Sequence, residues 1–417
     1  MTAFVARRIK FRNGERLSVL QRHGGLPVHE VTLFLNTFRR RGRAANTIHA
    51  VCGALGLLYR EFDKLGVDLL AGLASGRFPS ASELERLADA TQYPIDALDE
   101  NEGGAQPSVI DIHSVRRRRQ SAKRAQPQPV DVGTQATRLR YMAQFLEFLV
   151  GYVGPELSRD KRHVLEEEAL RTLTVFRAHI PSVSRRSKLG AREGVSSGEQ
   201  DKLLEVVHPD SPKNPWKRSF VRQRNWLIVV LLLASGMRRG ELLGLQIGDL
   251  IANQPKLRII RRADSNDDAR RTQPNTKTYD REIELNPEIM RRLWRHIQRD
   301  RRAIKSARSI PQIFVSDEGE ALSLASIDKI FKQIREACPE VTARLTSHVM
   351  RHTWNDRFSE QAQAMGLSDK EEGDARKTQQ GWSDRSDMGA VYTRRHTAAQ
   401  GRAVSLELQK RLDDKLN

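Results

Sequence analysis

The longest apolar run of the chain, Trp226 to Ala234, sets the strongest limit on its fold. A helix that crosses a membrane needs about 20 consecutive apolar residues, so this run is too short to span a bilayer. From Asn225 to Ser235 the sequence is apolar on nearly every side of a helix, and such a helix has to be enclosed by other elements. The sequence therefore predicts a fully buried helix within a globular domain in the second half of the chain.

Helical patterns dominate the first half. Apolar residues recur at spacings of three and four between Ile48 and Leu65, which places them on one stripe of a helix. Asn46 or Thr47 is the predicted N-cap of that helix, because their short polar side chains accept hydrogen bonds from the first backbone N–H groups. Helical spacing resumes at Ala136 and continues to about Phe176.

The second half adds a few strands to its helices. Ser196 followed three residues later by Glu199 forms a capping box and predicts the start of a helix. Two short alternating segments, Leu257 to Ile260 and Arg281 to Leu285, flank a polar stretch and predict a small antiparallel sheet with an extended hairpin. The predicted fold class is mainly α with a small antiparallel β-sheet (α+β), in two or three domains for 417 residues.

The charge balance points to a polyanionic partner. The chain has 71 Lys and Arg against 52 Asp and Glu, a net charge of +19. Cations that neutralise phosphates release condensed counterions, so this balance favours nucleic acid over a merely basic surface. No Gly-rich loop of the GxxxxGK[ST] type is present, so ATP-driven chemistry has no support.

The two cysteines, Cys52 and Cys338, lie far apart, and no disulfide framework or zinc site can be built from them. The N-terminus lacks the apolar core of a signal peptide. The expected location is therefore the cytoplasm, in association with the nucleoid.

Three basic segments stand outside the predicted helices. Residues 1–25 are either an arm that orders on DNA or a frayed start. The run from Arg39 to Thr47 places four arginines before a helix, as a phosphate contact or as a solvated turn. Residues 101–133 combine Gly, Gln and Pro with four consecutive arginines, and we interpret them as a linker that tracks DNA.

Two fragments each contain a basic residue that is a candidate for a phosphate site, Arg238 and Lys277. Arg238 follows the buried helix and Gly236, where its stem is packed and its guanidinium is suited to bidentate phosphate binding. Lys277 lies in the hairpin, just before the strand that begins at Arg281. A hairpin lysine can reach across a DNA groove and donate a proton to a leaving oxygen, although a solvated lysine is the simpler interpretation of this residue alone.

Two further fragments lie nearer the C-terminus. His348 and Arg351 are three residues apart, so on a helix they share a face and can point at one oxyanion. Trp382 can offer an indole N–H as a donor. Tyr392 is the only tyrosine after His348 and supplies a hydroxyl as a candidate nucleophile.

Together these fragments resemble the tyrosine recombinase, or phage integrase, family over roughly residues 190–400, in the family's order Arg, Lys, His-x-x-Arg, His or Trp, Tyr. The resemblance implies that Arg238 and Arg351 clamp the phosphate and that Lys277 is the general acid. It also implies that His348 lies beside the phosphate, that Trp382 occupies the His/Trp position and that Tyr392 is the nucleophile. Glu241 matches a position that supports the active site.

The resemblance also implies a domain plan and a reaction. The plan is a basic N-terminal arm at 1–30, a helical DNA-binding region at 31–184, a catalytic domain at 190–400 and a C-terminal segment at 401–417 that docks in trans or in cis. The reaction is site-specific recombination of the integrase or transposase type through a 3′-phosphotyrosyl intermediate, without metal, ATP or cofactor. A type IB topoisomerase and a non-catalytic DNA-binding regulator remain as alternatives.

The partners implied by the resemblance are double-stranded DNA and further protein subunits. We expect a homotetramer on two DNA sites, with a second recombinase or a directionality factor as possible accessories, and no membrane.

Overall fold

The computed structural model describes residues 4–95, 128–182, 194–274, 276–339, 344–386, 389 and 394–416. The chain divides into two compact units. The first comprises Met1–Phe11 and Glu15–Lys188, and the second comprises Leu189–Asn417 with Arg12–Gly14. The predicted fold class is confirmed, since both units are mainly helical and each contains one two-stranded antiparallel sheet.

The first unit begins with a hairpin that the sequence analysis treated as an arm or a frayed start. Strands β1 (Phe4–Lys10) and β2 (Arg16–Arg22) pair in antiparallel register, from Phe4 opposite Arg22 to Lys10 opposite Arg16. The hairpin packs on helix α2 (Ala45–Lys64), whose Arg60 donates two hydrogen bonds, of 2.9 and 2.7 Å, to the Phe4 carbonyl. The alternation of a strand was concealed because Arg8, on the same face as Phe4, takes a position where an apolar residue is expected.

The predicted N-cap of α2 is wrong. The helix begins at Ala45, with Ala44 as the cap residue and no side-chain cap. The Asn46 side chain is engaged elsewhere, since its Oδ1 accepts a hydrogen bond of 2.8 Å from Arg8 Nη1. The apolar stripe itself is confirmed, because Ile48, Val51 and Leu55 are completely buried.

Five more helices complete the described part of this unit around an aromatic core that includes Phe34, Phe145 and Phe148. They are α1 (His29–Arg40), α3 (Leu69–Ala74), α4 (Ala81–Ala90), α5 (Val132–Val153) and α6 (Arg159–Ala178). The helical pattern from 136 to 176 is thus two helices, interrupted at Gly154-Pro155, because proline cannot continue a helix. The predicted linker lies largely outside the described residues, and its last two positions are the start of α5.

The second unit is built around the predicted buried helix. Helix α7 (Ser197–Val207) starts with the expected capping box of Ser196 and Glu199. Helix α8 (Ser219–Ser235) contains the apolar run, and most of its residues from Arg224 to Ser235 are buried in the core of the unit. Ala234 is exposed, so the helix is not buried on every side as predicted. It ends at Gly236, whose φ of 61° is left-handed and whose Cβ, if it had one, would lie 2.7 Å from the Trp354 ring. Only glycine fits that helix end.

Short helix α9 (Arg239–Gly244) follows directly. Strands β3 (Lys256–Ile259) and β4 (Arg281–Glu284) pair in antiparallel register and confirm the predicted sheet to within one residue at each end. Helix α10 (Pro287–Arg295) then runs into a π-helical turn at His296–Arg301. The remaining helices are α11 (Leu324–Ala337), α12 (Ser347–Ala364), α13 (Asp369–Gln380) and α14 (Arg394–Leu416).

Among the described helices, none combines the length and the apolar character that crossing a membrane requires.

Candidate active site

Arg238 lies at the junction between the buried helix α8 and helix α9, where it is the N-cap residue of α9. Its backbone N–H donates to Glu241 Oε2 at 3.0 Å, and its Nη1 lies 3.3 Å from Glu241 Oε1. The Glu241 side chain is inaccessible to solvent, whereas that of Arg238 is 24% exposed. The arginine is therefore held at its base by a buried carboxylate while its guanidinium reaches a surface.

Glu241 accepts hydrogen bonds from three different segments. Besides the Arg238 contacts, Thr278 Oγ1 donates to Oε1 at 2.8 Å and Arg281 Nη2 donates to Oε2 at 2.8 Å. Burial alone raises the pKa of this carboxyl. The charge and hydrogen bond of Arg281, the backbone N–H of Arg238 and the charge of Arg351 outweigh burial, so the pKa lies below its usual 4.5. Glu241 is thus an ionised, fully hydrogen-bonded anchor beneath the surface.

Arg281 extends this anchor to the end of α13. Its Nη1 donates to Thr278 Oγ1 at 3.0 Å, and its Nε donates to the Gln379 carbonyl at 2.8 Å. The backbone N–H of Tyr279 donates to the Gly381 carbonyl at 2.9 Å. Arg281 therefore joins three pieces that are distant in sequence: the hairpin, the start of α9 and the residues just before Trp382.

The hydrogen bonds around Glu241 position the Lys277 backbone, although the Lys277 side chain makes none of the contacts described above. It is exposed, while its neighbour Thr276 is buried and its other neighbour Thr278 is bonded to Glu241. Its backbone is therefore anchored next to the buried carboxylate while the side chain extends into solvent. This is the arrangement that a mobile proton donor needs.

His348 and Arg351 lie on α12, which is capped by Thr346. Arg351 is 1% exposed, and its Nη1 donates to the Gly236 carbonyl at 2.7 Å. Its Cζ lies 5.5 Å from the centre of the Trp382 ring, so the indole packs over the guanidinium. His348 is exposed, and its ring stands perpendicular to that of His352 at 4.9 Å between centroids.

A pocket of about 510 Å³ brings three of the predicted residues together. It is lined by Arg238, Arg239, Asp328, Thr346, Ser347, His348 and Arg351. The guanidinium groups of Arg238 and Arg351 and the imidazole of His348 thus line one open, polar space, as predicted from the sequence. Trp382 lies behind Arg351 instead of on the wall of this pocket, and Lys277 is also absent from the wall. Tyr392 lies outside the described residues.

Thr278 and Arg281 were not predicted to be parts of the site. Their positions in the hairpin and the following strand gave no such signal, since an arginine in a short strand usually faces solvent. Arg258 on the paired strand does face solvent and is 53% exposed, whereas the Arg281 side chain is 5% exposed. No local pattern distinguishes these two arginines, because the partner of Arg281 lies 40 residues away.

Replacement of Glu241 by Gln tests the buried anchor through its pH dependence. An ionised group with a lowered pKa contributes stability above its usual pKa and loses it as the pH falls through the folded value. We therefore expect the free energy of unfolding to fall more steeply for the wild type than for Glu241→Gln as the pH is lowered below 4.5. All five tryptophans lie in the second unit, so their fluorescence during urea unfolding reports on this unit alone. Parallel pH curves for the two proteins would contradict the assignment.

Comparison with known proteins shows a similarity over part of the second unit. Residues 199–365 match the model of the phage integrase family. The matched region contains Arg238, Lys277, His348 and Arg351, while Trp382 and Tyr392 lie beyond it. No curated protein matches the sequence significantly.

Among solved structures, the chain is similar to XerA recombinase at 15% identity, with 89% of this chain and 98% of that chain covered and a TM-score of 0.36. It is similar to XerH site-specific recombinase bound to palindromic difH substrate at 15% identity, with coverage of 90% and 94% and a TM-score of 0.45. A Tn1549 transposon integrase in complex with a circular intermediate DNA is 16% identical, with coverage of 71% and 92% and a TM-score of 0.39. The family match covers residues 199–365, and over those residues it agrees with the resemblance drawn from the motifs.

Proposed function

We propose that this protein is a site-specific DNA recombinase of the integrase or transposase type, which cuts and rejoins DNA through a 3′-phosphotyrosyl intermediate. The observation that carries the proposal is the convergence of Arg238, His348 and Arg351 on one pocket within a phage integrase family domain. A phosphodiester that is being attacked carries its developing charge on non-bridging oxygens. Fixed cationic donors around that position stabilise the transition state more than the ground state.

The two arginines differ in how firmly they are held. Arg351 is almost entirely buried, with one N–H on the Gly236 carbonyl, and Arg238 is held by Glu241. Guanidinium groups present donors in a planar fork that matches two phosphate oxygens. Because their supports are rigid, little reorganisation is needed when the phosphate arrives. By analogy with an oxyanion-hole donor, each is worth about 3–4 kcal/mol in the transition state.

The covalent step gives Tyr392 and Lys277 their proposed roles. The Tyr392 Oη–P bond forms while the P–O5′ bond breaks, and the proton that O5′ requires comes from Lys277. Nearby cations favour the phenolate over a phenol whose ordinary pKa is near 10. A 5′-hydroxyl from a second duplex then attacks the phosphotyrosine, its proton returns to the neutral Lys277 amine and Tyr392 leaves as the phenolate. The bond energy is thus conserved and the cycle needs no nucleotide hydrolysis.

The proposed partners are duplex DNA and further copies of the chain. The region at 31–184 would also bind DNA, and a homotetramer would hold two DNA sites, in association with the nucleoid. Val404, Leu406 and Leu408 on α14 are 63%, 58% and 59% exposed. Apolar side chains so exposed on a terminal helix are suited to docking on a second copy.

Replacement of Tyr392 by Phe removes the proposed nucleophile and nothing else. We expect the variant to bind DNA as the wild type does and to form no covalent adduct. Fragmented DNA of the source genome is incubated with each protein, adducts that survive denaturation are recovered, and the linked peptide and DNA end are sequenced. Tyr152→Phe, at an exposed position on α5, is the control and keeps full adduct formation. Adducts formed by the Tyr392 variant would reject the assignment.

Lys277 is tested by changing the leaving group in a nicked duplex made from the recovered site. On the ordinary 5′-oxygen substrate, Lys277→Ala is expected to slow cleavage about 10²–10⁴-fold, the usual contribution of a general acid. A 5′-bridging sulfur leaves as a thiolate, whose conjugate acid has a pKa of about 8.5, so it needs no proton and the variant recovers the wild-type rate. Lys256→Ala, on β3, is the control with the wild-type rate on both substrates. Equal slowing on both substrates would exclude Lys277 as the acid.

A further inference from the structure

The helix that follows the hairpin presents an uninterrupted row of arginines to solvent. Arg291, Arg295, Arg299 and Arg302, here called the cationic stripe, are spaced by four, four and three residues along α10 and its π-helical turn. All four are exposed. Arg291 and Arg295 share one face of α10, Arg299 lies on the π-helical turn and Arg302 is the residue that follows the turn. At 1.5 Å per residue the stripe extends for at most about 16 Å.

The fold does not account for these charges. The opposite face carries Met290, Leu293 and Ile297, which are buried in the core. Arg301 shows how the fold uses an arginine here: it is 3% exposed and donates to the carbonyls of Gln312 at 3.1 Å and Ala307 at 2.9 Å. The four stripe arginines are exposed, in contrast to the buried side chain of Arg301.

Few carboxylates offset the stripe. Glu288 pairs with Arg291 and Arg292, and Asp300 lies 3.5 Å from Nδ1 of the buried His296. Within the part of the chain that the structure describes, Arg295, Arg299 and Arg302 are in no ion pair. Like charges four residues apart destabilise a helix, so the stripe costs stability unless a polyanion covers it.

The stripe lies at the other end of α8 from the pocket. The π-helical turn packs on the start of α8, where His296 stacks on Phe220 at 5.6 Å between ring centroids. The pocket lies at the end of α8, where Arg351 bonds to the Gly236 carbonyl. From Phe220 to Gly236 the helix axis covers about 24 Å at 1.5 Å per residue. A phosphate held between Arg238 and Arg351 therefore cannot also lie on the stripe.

We infer that the cationic stripe is a second binding surface for duplex DNA, separate from the pocket that takes the scissile phosphate. Four arginines in a row match a phosphate backbone, because each guanidinium fork fits phosphate oxygens and successive phosphates of one strand recur every 3.4 Å or so along the duplex axis. The choice of duplex DNA as the polyanion rests on the proposed function. The stripe would hold DNA that flanks the recombination site, or a second duplex.

The test removes three charges from the stripe and three from elsewhere in the full-length chain. The stripe variant carries Arg295→Gln, Arg299→Gln and Arg302→Gln. The control carries Lys213→Gln, Arg258→Gln and Lys332→Gln, three exposed cations that already pair with carboxylates at 3.0, 3.0 and 3.8 Å. Both variants lower the net charge from +19 by three, to +16.

The readout is the affinity for random-sequence duplex DNA, measured by fluorescence anisotropy over a range of salt concentrations. Each lost phosphate contact lowers the slope of log affinity against log salt by about 0.9. We expect the slope to fall by about 2–3 in the stripe variant and by less than about one in the control. Equal slopes in the two variants would overturn the inference.

Two further measurements separate the surface from other roles. In thermal melting, we expect the stripe variant to be at least as stable as the wild type, because repulsion between the arginines is removed. A marked loss of stability would show a structural role and overturn the inference. Vesicles of phosphatidylserine and phosphatidylcholine test a lipid partner, and a stripe variant that loses vesicle binding while its DNA slope is unchanged would also overturn it. Because random-sequence binding needs no cleavage, failure of the wild type to form covalent adducts would refute the proposed function and leave this result standing.

Discussion

The buried carboxylate of Glu241 is the interaction on which the site depends. A carboxylate without solvent access is costly unless its oxygens are hydrogen-bonded and its charge is balanced. Here the balance comes from Arg238, Thr278 and Arg281, which belong to three segments of the second unit. The requirement to satisfy one buried charge therefore fixes the start of α9, the base of the hairpin and the strand after it in one arrangement.

The consequences reach both sides of the proposed chemistry. Glu241 orients the base of Arg238, whose guanidinium lines the pocket. Lys277 lies next to Thr278, which is bonded to Glu241, while the lysine side chain stays in solvent. Through the Gln379 carbonyl, Arg281 also positions the end of α13, after which Trp382 packs over Arg351. The proposed phosphate clamp and the proposed proton donor are thus linked through Glu241, Thr278 and Arg281, to which the proposal gives no contact with the phosphate or the leaving oxygen.

The buried helix α8 separates two surfaces by its length. One end closes with Gly236, whose carbonyl holds Arg351 beside the pocket. The other end carries the helix with the cationic stripe, through the stacking of His296 on Phe220. An apolar helix enclosed in the core is a rigid spacer, and under the proposed function it would let one domain contact DNA at two places without competition for the same phosphates.

The elements that depend on neighbouring residues were predicted from the sequence. The apolar helix, the Ser196 capping box and the β3–β4 pair were read correctly because an apolar run, a cap and an alternation are all visible within a few residues. The first hairpin escaped because Arg8 replaces an apolar residue on its inner face. The role of Arg281 was not predicted because the carboxylate that it binds, Glu241, lies 40 residues earlier in the chain. Arg238, His348 and Arg351 were predicted from their motifs, and the structure places all three on one pocket, whereas Tyr392 lies outside the described residues.

The most direct test of the central claim is a double-mutant cycle between Arg281 and Lys277, measured as the rate of covalent cleavage of a nicked duplex. If the Glu241 network positions the proton donor, Arg281→Gln should slow cleavage strongly when Lys277 is present and much less when it is already Ala. The expected coupling energy is about 1–3 kcal/mol, the range for residues of one network, and Thr278→Val should show the same dependence as a milder change. Effects of Arg281→Gln that are equal in both backgrounds would show that the network and the lysine act independently, and would contradict the account.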